Sequence, residues 1–192
     1  MLALVAALAG ACGGPPRLVV ELGAPVELTE ERSTGFDPEL LEDNGKATFA
    51  GQRLASPTAT ASYEGIDVLV GGQRIWSLDT PIRAGLLLVD GVVVEVEIYG
   101  ESYRDATMIE TVGRDLTARF DSWRDKDPAY WPYIVRDLRV IATTTEHGTI
   151  KPAGTFTHAS GVKATIHAGC NVNPNETDYR IEIKMRVPGR LY

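Results

Sequence analysis

Glu95 and Glu97 stand two residues apart in "VVVEVEIY". On an extended strand such residues share one face, about 7 Å apart. Two carboxylates so placed could pass a proton or hold a metal, as carboxylate pairs do in glycan-cleaving enzymes. Alternating Val and Glu is also how an ordinary half-exposed strand is written, and that is the expectation here. A second set lies in "CNVNPNETD", where Asn171, Asn173 and Asn175 alternate before Glu176 and Asp178. Calcium takes about six to eight oxygens, which alternating Asx residues in a loop can supply. The spacing lacks the Asp, Gly and Glu positions of an EF-hand, and Asn and Pro are ordinary turn residues. No metal is therefore expected, with the calcium loop kept as the minor reading.

The histidines are His147, His158 and His167. His167 and Cys170, three apart on a strand, would point to opposite faces, and no paired Cys/His zinc spacing is present. Ser160 in "HASG" lies two residues from His158, but nearness in sequence does not make a nucleophile and base. The chain has no G-x-S-x-G elbow, no Walker loop, no G-x-G-x-x-G and no H-E-x-x-H. No cofactor is expected, and a non-enzymatic role is preferred.

The strongest contact candidates are the aromatics of "DPAYWPYI": Tyr130, Trp131 and Tyr133. Exposed beside a rigid turn, they would form a binding anchor or a sugar platform. The commoner use of such residues is to close one end of the core, here with Trp123 alongside. Trp76 in "RIWSLDTP" reads as core. Asp121, Asp125 and Asp127, among Arg124 and Lys126, read as a solvated charge cluster.

Positioning these groups falls mainly to strands. Ile66, Val68 and Val70 alternate, Gly71-Gly72 makes a turn, and Gln73 to Leu78 returns. Leu86–Val89 and Val92–Tyr99 form a hairpin, because Asp90-Gly91 supplies the positive φ of a type I′ turn. Tyr133–Thr145, Thr149–Thr157, Val162–Cys170 and Tyr179–Val187 continue as antiparallel strands. In the last, Tyr179, Ile181, Ile183, Met185 and Val187 face one way, while Arg180, Glu182, Lys184 and Arg186 face the other. That is a sheet with one dry and one wet face.

A helix is predicted over about 103–126. Ser102 and Asp105 have capping-box spacing, and Ile109, Val112, Leu116, Phe120 and Trp123 recur every three or four residues. Glu110–Arg114 and Asp115–Arg119 mark its solvent side. A short helix is expected from Pro38 to Asp43, ended by Asn44-Gly45. The predicted class is α+β, an antiparallel sheet packed by one main helix; the alternative is a β-sandwich with a crossover helix.

The 192-residue chain carries a formal charge of −7 and no basic run. Phosphate neutralisation needs clustered Lys and Arg, so no nucleic-acid partner is expected. Residues 2–11 form an apolar run, too short to span a bilayer but of signal-peptide length. Its ending, Leu8, Ala9, Gly10, Ala11, Cys12, resembles the lipobox of bacterial lipoproteins. The resemblance implies that Cys12 becomes the lipid-bearing first residue and that the membrane is a partner through that lipid. It also implies a cell-envelope location, the outer membrane in a Gram-negative host because Gly13 is not aspartate. Residues 1–11 then form the signal, 12–16 the lipidated cysteine and tether, and 17–192 a single domain. Cys170, the second cysteine, reads as a buried thiol.

The expectation from these features is a non-enzymatic envelope lipoprotein that binds a protein or another envelope component, with an inhibitor or immunity role as one version. A carboxylate enzyme acting on envelope polymers and a calcium-dependent binder are the alternatives. The oligomeric state stays open.

Overall fold

The computed structural model describes residues 16–36, 41–43, 53–57, 62–128, 130–144, 148–173 and 176–189. Cys12 with the signal-like run, His147 and Asn175 lie outside the described residues. Among the described residues are eleven strands and three helices. In chain order they are β1 (Arg17–Glu21), α1 (Val26–Arg32), β2 (Leu41–Asp43), β3 (Arg53–Pro57), β4 (Gly65–Val70), β5 (Gln73–Leu78) and β6 (Arg83–Val89). Then follow β7 (Val92–Tyr99), α2 (Ala106–Ala118), β8 (Arg124–Pro128), α3 (Trp131–Thr144), β9 (Thr149–Thr157), β10 (Lys163–Asn173) and β11 (Glu176–Arg186).

The strands form two sheets. A small one runs β1-β4-β5, with β1 parallel to β4 and β4 antiparallel to β5. The large one is antiparallel throughout, in the order β2-β3-β6-β7-β11-β10-β9-β8. The class is α+β. The β6–β7 hairpin turns at Asp90 (φ 51°) and Gly91 (φ 75°), the positive values that its Asp-Gly sequence predicts.

Residues opposed in an antiparallel ladder share a face, so the register sorts the large sheet into two surfaces. Leu86 opposes Val96, Met185 opposes both Val96 and Ala164, and Ile183 opposes Ile98 and Ile166; all are buried. Upon this dry face lie α2 and α3, which touch β11, β10 and β9. The small sheet joins the same core through aromatic rings. Trp76 of β5 stacks on Phe120 (5.7 Å between centroids), and Phe120 stacks on Phe156 of β9 (4.6 Å). One continuous cluster of buried side chains results.

The helices depart from the sequence reading in four ways, one of them the unpredicted α1. The main helix α2 stops at Ala118 rather than near Lys126. Beyond it the N–H groups of Arg119, Phe120, Asp121 and Trp123 each bond the carbonyl three residues back. Those tight turns keep Phe120 and Trp123 on the buried side while ending the α-helix. Asp125 and Asp127, read with Asp121 as a solvated charge cluster, fall in the edge strand β8, whose charged sequence discourages further strand pairing.

The largest correction is α3. Tyr133–Thr145 was expected as a strand, and the sheet was expected to carry one main helix. Trp131 to Thr144 is instead a second helix that buries Trp131, Ile134, Val135 and Leu138. Finally, residues 41–43 of the expected short helix form strand β2, and 37–40 lie outside the described residues.

The contact between α2 and α3 turns on one glycine. A Cβ added at Gly113 would sit 2.5 Å from the Trp131 indole ring. Trp131 fits there because position 113 has no side chain, and its Nε1–H donates to Thr117 Oγ1 at 3.0 Å. Mid-helix glycine costs about 1 kcal/mol relative to alanine, so Gly113→Ala would stabilise an isolated helix. In this chain it should instead destabilise by about 1–3 kcal/mol, the usual cost of overpacking. Urea unfolding would measure it; a gain in stability would mean that the indole does not occupy that space.

Candidate functional site

Three surfaces hold groups able to do chemistry or binding. The first is a cleft of about 290 Å³ between α2 and the connection from β5 to β6. Leu78 and Pro81 line one wall, and Val112 and Leu116 of α2 line the other. The dry face supplies the floor through Ile98, Ile181 and Ile183. Polar groups also line the cleft: Glu101 and Tyr103 after β7, Asp115 on α2 and Arg119 at the helix C-cap. An apolar interior with a few charged groups at its mouth is the general form of a small-ligand site. Arg119 also borders a shallower groove along β5, shared with Arg74, Ile75, Trp76 and Ser77.

The second surface is the opposite face of the large sheet, and it contains Glu95 and Glu97. The predicted common face is correct: Glu95 opposes Arg186 and Glu97 opposes Lys184 across the β7–β11 ladder. Arg186 Nε donates to the Glu95 carboxylate, and Lys184 Nζ and Tyr99 Oη both donate to Glu97. Lys184 also lies 3.5 Å from Glu182. Burial pushes the Glu97 carboxyl upward, but the bonds from Lys184 and Tyr99 outweigh it and hold it below the usual range. A general acid needs the opposite shift. Burial, together with the Glu97 bond, raises the Tyr99 phenol well above its ordinary value.

His167 lies on this face too, opposite Glu182. Burial lowers its pKa, and among the described residues its buried Nδ1 has no hydrogen-bond partner. Cys170 points into the core on the other face, as the spacing predicts, and is a free thiol.

The third surface is the start of α3, where the three candidate aromatics part company. Tyr130 is 71% exposed and Tyr133 54%, while Trp131 between them is 4% exposed and locked against Gly113. The Arg136 guanidinium sits 4.1 Å from the centre of the Tyr133 ring, a cation–π contact. Val140, one further helical repeat along, is also exposed.

The remaining sequence candidates resolve as local structure. The described part of the Asn-rich segment pairs within the β10–β11 ladder: Asn171 opposes Asp178 and Asn173 opposes Glu176. Glu176 is taken by Arg104 at 2.6 Å. Among the described residues no cluster of His, Cys, Asp and Glu could hold a metal. His158 Nδ1 does lie 2.9 Å from Ser160 Oγ, but the same nitrogen accepts the Ser160 backbone N–H at 3.2 Å. Gly161 N–H bonds the His158 carbonyl, so the pair fastens a tight turn between β9 and β10.

Comparison with known proteins finds no matching family model, no matching curated protein and no matching solved structure.

The cleft is the feature that sequence reasoning missed. Its one legible trace was the Asp115–Arg119 spacing, read as a solvent-side helix pair. That spacing cannot reveal that Arg119 reaches the Ser77 carbonyl of β5, 42 residues earlier, at 3.3 Å.

Proposed function

We propose that this chain is a non-enzymatic binding module of a bacterial cell envelope, lipid-anchored through Cys12, that engages a protein partner through Tyr130 and Tyr133. The reading is supported by one observation above all. Two tyrosines stand exposed at the start of a helix, Tyr130 just before it and Tyr133 in its first turn, and the intervening Trp131 is buried and fixed. Rigid aromatics of this kind give contact area at low entropic cost and dominate binding energy at interfaces. Arg136 and Val140 extend the surface along α3. The cysteine of the lipobox-like segment supplies the anchor, for which two lipid signals are needed to hold a protein stably on a membrane. No helix among the described residues is long and apolar enough to cross a membrane.

The test uses the full chain in membranes, with a photo-crosslinking residue at position 130 and a Tyr130→Ala/Tyr133→Ala double variant. One protein should crosslink, and the double variant should bind it about thirtyfold more weakly, the loss expected from a single hot spot of about 2 kcal/mol. Thermal unfolding should not move, because exposed side chains contribute within about 0.5 kcal/mol. Equal affinity in the variant would place the contact elsewhere. Cys12→Ser should abolish incorporation of labelled fatty acid; retained label would remove the anchor.

A further inference from the structure

We propose that the cleft between α2 and β5 is a binding site for a single-chain amphipathic carboxylate, its apolar chain inside and its anion on Arg119 and Arg74. The site shares no residue with the tyrosine surface. Two features of Arg119 carry the argument: it stands at the mouth of the apolar cleft, and it also borders the groove along β5. That groove brings Arg74 and Arg119 together with no carboxylate in its lining.

Neither guanidinium is fully used within the fold. Arg119 makes one long bond, 3.3 Å, to the Ser77 carbonyl. Arg74 reaches Asp67 at 3.5 Å, but Asp67 is already held by Arg17 through both oxygens, at 2.8 and 3.0 Å. Two planar cations with donors to spare suit a carboxylate, which guanidinium binds through paired hydrogen bonds. Trp76, in the wall of the same groove, is buried with an indole N–H that has no acceptor among the described residues. From Arg119 the cleft then runs inward between Val112 and Leu78 onto an apolar floor. A ligand filling both parts must be apolar at one end and anionic at the other.

Glu101 and Asp115 on the cleft rim define the competing ligand, an amphipathic amine. The experiment therefore compares decanoate, decylamine and decanol, each below the concentration at which it aggregates, by calorimetry on the full chain. Decanoate should bind saturably, and more tightly than either of the others. Arg119→Gln should weaken it about tenfold, the loss of one charge-assisted bond, with Arg119→Lys intermediate. Val112→Phe, at a half-buried wall position, should abolish binding by filling the cleft while leaving the fold intact. Equal affinity for decanol would show that the arginines take no part, and tighter binding of decylamine would assign the site to the carboxylates. No saturable binding, or binding unchanged in Val112→Phe, would overturn the site itself.

Discussion

Phe120→Ala should cost about 3–5 kcal/mol, the range for truncating a buried aromatic, and is expected to be the most damaging single substitution in the chain. Phe120 has no exposed surface. Its ring lies nearly parallel to Trp76 on one side (20°) and to Phe156 on the other (14°), with Trp123 edge-on at 4.9 Å. Trp76 belongs to the small sheet and Phe156 to the large one, so this ring packs the two sheets together, in addition to backbone bonds such as Gly23 N–H to the Val93 carbonyl. Removing it leaves a cavity that neither sheet can close alone, because each is fixed by its own ladder. A domain of this size has a total stability of about 5–15 kcal/mol. The melting temperature should therefore fall by about 10 °C, at about 2–4 °C per kcal/mol. Near-ultraviolet circular dichroism should lose signal from Trp76 and Trp123 before the far-ultraviolet signal changes. Phe120→Leu keeps most of the volume and should cost less than half as much. A loss under 1 kcal/mol for the alanine variant would mean that the ring contributes little to holding the sheets together.

The importance of Phe120 was half legible in the sequence. Its spacing from Ile109, Val112 and Leu116 marks it as buried. Nothing local shows that the helix ends before it or that a second sheet lies beyond. Alternation and turn chemistry carried the hairpins: Asp90-Gly91, Gly71-Gly72 and the ladder of β11 read correctly because each depends on neighbours in sequence. Helix α3 was misread for a physical reason. Ile134, Val135, Val140, Ile141, Thr143 and Thr144 are β-branched residues that favour strands in isolation. Yet Trp131, Ile134, Val135 and Leu138 fall on one helical face, and burial of that face on the sheet overrides the weaker intrinsic preference. The partner of Trp131 is the empty space at Gly113, eighteen residues earlier. A missing side chain leaves no mark in a hydrophobic pattern. The cleft was invisible for the same kind of reason, since Arg119, Arg74 and the apolar floor come from four separate stretches of the chain.

The face that carries Glu95 and Glu97 should betray itself through pH. Glu97 is held below its usual pKa in the folded chain, so unfolding takes up a proton near the carboxylate range. Its contribution is complete above the unfolded value of about 4.3 and is lost as pH falls through the lower folded value. For Lys184 burial alone would lower the pKa, but the Glu97 hydrogen bond and charge raise it overall. Its contribution is complete below the unfolded value of about 10.4 and is lost as pH rises through the folded one. Between those limits the network is intact. Lys184→Met removes the cation while keeping much of the stem, and leaves Glu97 and Glu182, with side chains 13% and 8% exposed, facing each other's charge. Burial at Glu97 is then opposed only by the Tyr99 bond and the Arg186 charge, and its pKa should rise. The variant should lose about 2 kcal/mol at pH 7, a figure kept modest because Lys184 is itself a third exposed. As pH falls Glu97 takes up its proton earlier than in the parent, and part of that deficit should disappear. Urea unfolding of both proteins at pH 5 and pH 7 measures the difference directly. An equal loss at the two pH values would mean that Lys184 acts only through the packing of its stem. A deficit that shrinks at the lower pH would identify Glu97 and Glu182 as charges that the fold tolerates only in the presence of Lys184. On that outcome the carboxylate pair is a paired structural ladder, and the chemistry of this chain belongs on the helical side of the sheet.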